Sequence, residues 1–142
     1  MTEITFYFNA PDKLATARAL AAKALSGRRR LLIFSTDART LGALDAALWT
    51  TPPTGFIPHC RAHEQHAGET PILLTDDPQA MPHHEVLLNL DFERPAQFSR
   101  FDRLLEIVSR DDPDDRERAR ERFRFYRDRG YEIVRHDLAA KA

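Results

Sequence analysis

Five residues able to bind a transition metal fall within eight positions: His59, Cys60, His63, Glu64 and His66. Imidazole, thiolate and carboxylate are the ligands Zn²⁺ takes. Zinc sites, however, pair two spaced clusters and orient the ligands with hydrogen-bonded neighbours. The chain has one cysteine, and His83 and His84 lie beyond a strand-like run. The expectation is a polar loop and no metal. Two acidic spots could do acid–base work. Asp76-Asp77 precede Pro78, where adjacent Asp residues ordinarily form a turn. Asp91 ends an apolar run, where a doubly wound enzyme places catalytic groups. No nucleophile and base accompany it, so no catalytic residue is expected. The third set is cationic. Arg116, Arg120, Arg124 and Arg127 fall on one arc at 3.6 residues per turn, with Phe123 at its edge. Ala119 and Tyr126 lie beyond it, toward a core, while Arg118, Glu121 and Phe125 point elsewhere. A basic face beside an apolar recess suits an acidic peptide ending in an apolar residue and its free carboxylate. The plainer alternative is a solvated helix in which Glu117 and Glu121 pair with arginines of the same helix.

These residues need elements to hold them. Ile4-Thr5-Phe6-Tyr7-Phe8 is β-branched and aromatic, hence a strand. Asp12 is a plausible N-cap for a helix carrying Leu14, Ala17, Ala21, Ala24 and Leu25 at helical spacing, ended by Gly27. Arg28-Arg29-Arg30 then reads as a solvated lead into Leu31-Leu32-Ile33-Phe34. That strand lacks polar alternation, so it is expected to be buried on both faces, as in a parallel sheet. Ser35-Thr36-Asp37 offers caps for a second helix through Leu41, Leu44 and Leu48. Pro71–Thr75 and Val86–Leu90 are further strands. Phe98, Phe101, Leu104, Leu105 and Val108 match helical spacing and predict a buried helix. Asp112, Pro113, Asp114 and Asp115 start a helix that runs from Arg116 to about Arg129, with Gly130 as its stop. Tyr131–Arg135 is a last strand, and the tail from Leu138 to Ala142 is expected to fray.

The β-α-β-α order predicts an α/β domain, Rossmann-like, with a mainly parallel sheet flanked by helices and spanning residues 1–142 as one domain. Such folds often bind nucleotides through a Gly-rich first turn. Here the turns after the first two strands contain no glycine, and the five glycines are scattered at 27, 42, 55, 68 and 130. No cofactor is therefore expected. A small nucleotide- or phosphate-handling enzyme of this topology stands as the alternative. A net charge of −1 argues against a general nucleic-acid or membrane binder. Direct contact of the arginine helix with single-stranded DNA is a third reading. The lone Cys60 excludes an internal disulfide and fits a reducing, cytoplasmic setting, and no apolar run reaches membrane-spanning length.

The stretch Leu48-Trp49-Thr50-Thr51-Pro52-Pro53-Thr54-Gly55-Phe56-Ile57-Pro58-His59 holds the only Trp and three of the nine Pro. Proline here predicts a stiff loop, neither helix interior nor central strand. Its large apolar side chains serve either as a core plug or as anchors for a partner. Leu-Trp, a Pro shortly after, and then Phe-Ile-Pro-His resembles the chi subunit family of bacterial DNA polymerase III. A second resemblance lies in Ala119-Arg120-Glu121-Arg122-Phe123-Arg124-Phe125-Tyr126-Arg127, followed by Gly130-Tyr131. A well-known form of the motif has Tyr-Lys where this chain has Phe123-Arg124, so the apolar body and the charge are kept and a hydroxyl is lost. The family's Ala-Gly-Glu comes later here, at Ala67-Gly68-Glu69, which implies a lengthened loop.

The resemblance implies a Rossmann-like fold with neither cofactor nor metal, and no intrinsic activity although the whole assembly is a DNA-directed DNA polymerase. It implies two contact surfaces. Trp49, Pro52, Phe56, Pro58 and His59 would meet the psi subunit of the clamp loader or an equivalent, with His59 orienting the loop by hydrogen bonding; a helicase is a further candidate for that surface. Arg120, Phe123 and Arg124, with Arg116 and Arg127 on the same arc, would hold the acidic C-terminal tail of single-stranded DNA-binding protein.

Overall fold

The computed structural model describes residues 1–50, 58–61, 70–77 and 83–140, and the side chains of Trp49, Thr50 and Ala140 are outside that description. Strands β1 (Glu3–Ala10), β2 (Leu31–Phe34), β3 (His59–Arg61), β4 (Ile72–Thr75), β5 (Val86–Asn89), β6 (Arg103–Ser109) and β7 (Ile133–Asp137) form one sheet. Its order is β3-β4-β2-β5-β6-β1-β7, and every pairing is parallel. Helices α1 (Lys13–Ser26), α2 (Ala38–Thr50) and α3 (Pro113–Asp128) complete the α/β fold.

Each strand feeds both faces of the sheet because successive side chains point to opposite sides. Leu31, Ile33, Ile72, Leu74, Leu105 and Ile107 pack with α1 and α2. Ile4, Phe6, Leu32, Phe34, Leu73 and Leu104 pack on the other side with Tyr126 of α3 and with Phe98 and Phe101. β2 and β4 are buried along their whole lengths, as central parallel strands must be.

The helix ends are set locally. Asp12 Oδ1 accepts from the amides of Leu14 and Ala15, and Asp112 Oδ1 does the same for Asp114 and Asp115. Gly130, at φ +83°, lies two positions past the last residue of α3, just after its C-cap Arg129, in the left-handed region that only glycine enters without strain. At the end of α1 the left-handed residue is Arg28 (φ 56°), one position past Gly27.

Five expectations change. Phe98–Val108 is not a helix: Phe98–Arg100 is a single 3-10 turn and Arg103–Ser109 is strand β6. In β6, Leu104 and Glu106 face α3 while Leu105 and Ile107 face α1, so burial on both sides produced an apolar run that also fits a 3.6 period. Leu48-Trp49-Thr50 are the last turn of α2 rather than loop, with Leu48 fully buried. His59-Cys60-Arg61 is an edge strand paired with β4, not polar loop. Leu138–Ala140 forms a 3-10 turn, and Leu138 packs on the core. β7 also starts two residues later than its sequence suggests.

One polar cluster sits inside the second core. Glu106 is completely buried. Its Oε1 accepts from Arg122 Nε at 3.1 Å, its Oε2 from Tyr126 Oη at 2.7 Å, and Asn89 Nδ2 reaches both oxygens. Burial pushes the Glu106 carboxyl up, and Arg122, Tyr126 and Asn89 oppose that shift. Burial and the neighbouring carboxylate both raise Tyr126. Arg122 also donates through Nη1 to the Phe92 carbonyl. At the other end of α3, Asp115 accepts from Lys13 Nζ at 2.9 Å and from the Ser109 amide. Burial works to raise Asp115, yet those partners leave it below its ordinary 3.8.

Arg122→Ala should destabilise the domain by about 3–5 kcal/mol in denaturant melts, because it strands the buried Glu106 carboxylate. His83 generates a second expectation. Burial first, then the charge of Arg30, lowers it from 6.5 to about 4, and its Nδ1 already accepts the Glu85 amide. The unfolded chain takes the proton more readily. Stability from neutral His83 is therefore complete above pH 6.5 and is lost as pH falls toward 4, by roughly 3 kcal/mol at most. Melting temperatures read across that window should drop for the parent and stay flatter for His83→Asn, which keeps an acceptor but cannot charge.

Candidate functional site

α3 is seated over β6 by its buried face, which carries Asp115, Ala119, Arg122 and Tyr126. Beside it, the same face of β1 and β7 is left partly open. The result is a cleft of about 630 Å³ near the carboxyl ends of β1 and β6, the end of an open α/β sheet where ligands bind. Its apolar lining is Phe6, Phe8, Val108, Ala119 and Phe123. Its polar lining is Arg116, Arg120, Arg124, Arg135, Glu117 and the Asn9–Ser109 end. Phe123 stands edge-on to Phe6, ring centroids 5.4 Å apart, and the Arg135 guanidinium lies 5.7 Å from the Phe123 centroid. Among the described residues, four guanidinium groups and one carboxylate thus surround an aromatic floor. Guanidinium is a fixed charge with planar donors, suited to carboxylate.

The cleft brings together Arg116, Arg120, Phe123 and Arg124. Arg127 does not line it; it pairs with Asp128 at 3.2 Å. Arg120 Nη1 donates to Glu117 Oε2 at 3.1 Å, so the intrahelical pairing expected of a solvated helix exists at Glu117. Arg118 points to the opposite flank, toward Glu93, Asp114 and the Phe92 ring. Phe125 is held there between Arg94, 3.6 Å from its centroid, and Arg129, 4.3 Å away.

Sequence pattern missed Phe8, Val108, Asn9 and Arg135 as lining residues. Phe8 and Val108 extend the inward alternation of β1 and β6, a signal visible once β6 is recognised as a strand. Nothing local marks Arg135, because β7 reaches the cleft only by pairing with β1.

Of the second set, Pro58 is exposed and His59 is buried at the start of β3. His59 Nε2 donates to Asp45 Oδ1 of α2 at 2.7 Å, which ties the strand to the helix before it. The Trp49 side chain, Pro52 and Phe56 lie outside the described residues, as do His63, Glu64, His66 and the Ala67-Gly68-Glu69 segment. Among the described residues no group of His, Cys, Asp and Glu is placed to hold a metal, and no helix is long and apolar enough to cross a membrane.

Residues 1–134 match the family described as DNA polymerase III chi subunit, HolC. The chain belongs to that family. A DNA polymerase III subunit chi of Pseudomonas aeruginosa is 33% identical over 142 residues, covering 97% of this chain and 98% of the relative. The Escherichia coli subunit of the same name is 27% identical over 115 residues, covering 80% and 78%. A Haemophilus influenzae counterpart is 28% identical over 109 residues. Family membership places the chain among the subunits of the replicative DNA polymerase III, within DNA replication.

The helix N-termini bear on the nucleotide alternative. At α1 the chain's own Asp12 takes the free amides. At α2, Asp37 Oδ1 accepts from the Arg39 amide, and Asp91 Oδ1 accepts from the Thr36 hydroxyl at 2.8 Å. Asp37 is held below its usual range, first by the Thr40 hydroxyl and then by the Arg39 amide. A phosphate would meet carboxylates where it needs open N–H groups. A thermal-shift series with ATP, GTP and NAD should accordingly show no saturable rise in melting temperature; a clear rise with any of them would revive an enzymatic reading.

Proposed function

We propose that the chain is an adaptor without an active site of its own, linking the C-terminal tail of single-stranded DNA-binding protein to the clamp-loader side of DNA polymerase III. The observation that carries this reading is the cleft of α3, where arginines surround an aromatic floor. A short acidic peptide needs both parts. Its carboxylates pair with Arg116, Arg120, Arg124 and Arg135, and its terminal apolar side chain covers Phe123 and its neighbours. The other contact, to the psi subunit or an equivalent and with a helicase as a further candidate, is assigned to Trp49, Pro52, Phe56, Pro58 and His59. Two modest contacts in series tether the polymerase to coated template by effective concentration. The setting is the cytoplasm, where the chromosome is copied.

A tail of a few residues buries little area, so affinity should be on the order of micromolar and should fall as salt rises. Arg124→Ala is expected to weaken a labelled tail peptide about tenfold or more in fluorescence anisotropy. Arg118→Ala, equally a loss of one positive charge but on the far flank of α3, should change little. Equal losses would mean diffuse attraction and no pocket. Binding of naked oligonucleotide with a steep salt slope, not competed by the peptide, would favour direct DNA contact instead.

A further inference from the structure

Among the described residues Glu117 is the one carboxylate lining the cleft, and it is already engaged by the arginines. Arg120 Nη1 donates to its Oε2 at 3.1 Å, and Arg124 Nη2 lies 3.9 Å from its Oε1. It sits three positions before Arg120 and seven before Arg124, so all three side chains rise from one flank of α3. We infer that Glu117 is a built-in stand-in for the ligand carboxylate, which an incoming peptide must displace, and that this displacement makes the cleft selective for peptides with an apolar end. The inference rests on the reading of the cleft as a peptide site.

The physics is a matter of exchange. Glu117, Arg120 and Arg124 are each more than half exposed, so their pairing is weak and does not shut the cleft. It sets a threshold. A ligand that brings only negative charge, such as a nucleic-acid phosphate, trades one anion for another and gains little. A ligand that also lays an apolar side chain over Phe8 and Phe123 gains burial that Glu117 cannot offer. Glu117 thereby acts against the wrong partner, as much as the arginines act for the right one.

The test uses the full chain, a labelled acidic peptide ending in Phe with a free carboxylate, and a labelled oligothymidylate. Glu117→Gln should bind the peptide about two- to fivefold tighter, the scale of one exposed ion pair. It should gain more than that for the oligonucleotide, so the preference for peptide narrows. Glu121→Gln removes the same charge one turn further along, from an exposed residue in no ion pair among the described residues, and should shift either ligand by less than half as much. In an Arg120→Ala, Arg124→Ala background the gain from Glu117→Gln should vanish. If wild type binds the peptide and Glu117→Gln binds no tighter, or if the two glutamine variants gain equally, the inference is overturned while the peptide site stands. If neither wild type nor Glu117→Gln binds the peptide, the site and the inference fall together.

Discussion

The buried pair of Glu106 and Arg122 holds the site half of the molecule in register. A fully buried carboxylate at the middle of a strand is tolerable only if its charge and lone pairs are satisfied. Arg122, Tyr126 and Asn89 do this from α3 and from the neighbouring strand β5. Because Arg122 and Tyr126 are one turn apart on α3, the two bonds fix both the height and the rotation of that helix on the sheet. Lys13 and Asp115 pin its first turn to α1. Rotation of α3 decides which arginines face the open part of the sheet, so a polar contact in the core governs the composition of a surface cleft.

The cleft exists because coverage is unequal. One helix can cover about two strands at the usual spacings, and α3 is committed to β6. The last two strands on that side, β1 and β7, are covered only in part. Phe8 and Phe123, only partly buried, would be a liability there without a partner. The arginines around them keep that aromatic surface hydrated, and the same charges recruit acidic ligands over a distance set by ionic strength. The opposite flank of α3 shows the contrast: its arginines, Arg94, Arg118 and Arg129, stack on Phe92 and Phe125.

Local chemistry was readable wherever it acts over a few residues. The caps at Asp12 and Asp112, the stop at Gly130, the doubly buried β2 and the arginine arc all follow from rules that span one or two turns. Misreadings arose where two local rules agree with one string. Phe98, Phe101, Leu104, Leu105 and Val108 fit a helix period, but Leu-Leu-Glu-Ile-Val buried on both faces fits it as well. The clue against a helix was Glu106 itself, which has a satisfied place only opposite another element. His59-Cys60-Arg61 carries no strand signal of its own and is a strand because β4 offers an edge.

The sequence by itself determined the α/β class, the family and the four-residue spacing that puts Arg116, Arg120 and Arg124 on one face, since each depends on short-range periodicity or on motif identity. Only the tertiary structure decided the strand order, the strand character of 103–109, the union of Glu106 with Arg122, and the presence of Phe8 and Arg135 in the cleft. Each of these rests on contacts between distant positions, such as Glu3 beside Arg103 or Phe6 beside Arg135. Parallel pairing leaves no turn to announce a neighbour, so which strands meet is settled by the packing of the whole chain, not by any segment of it.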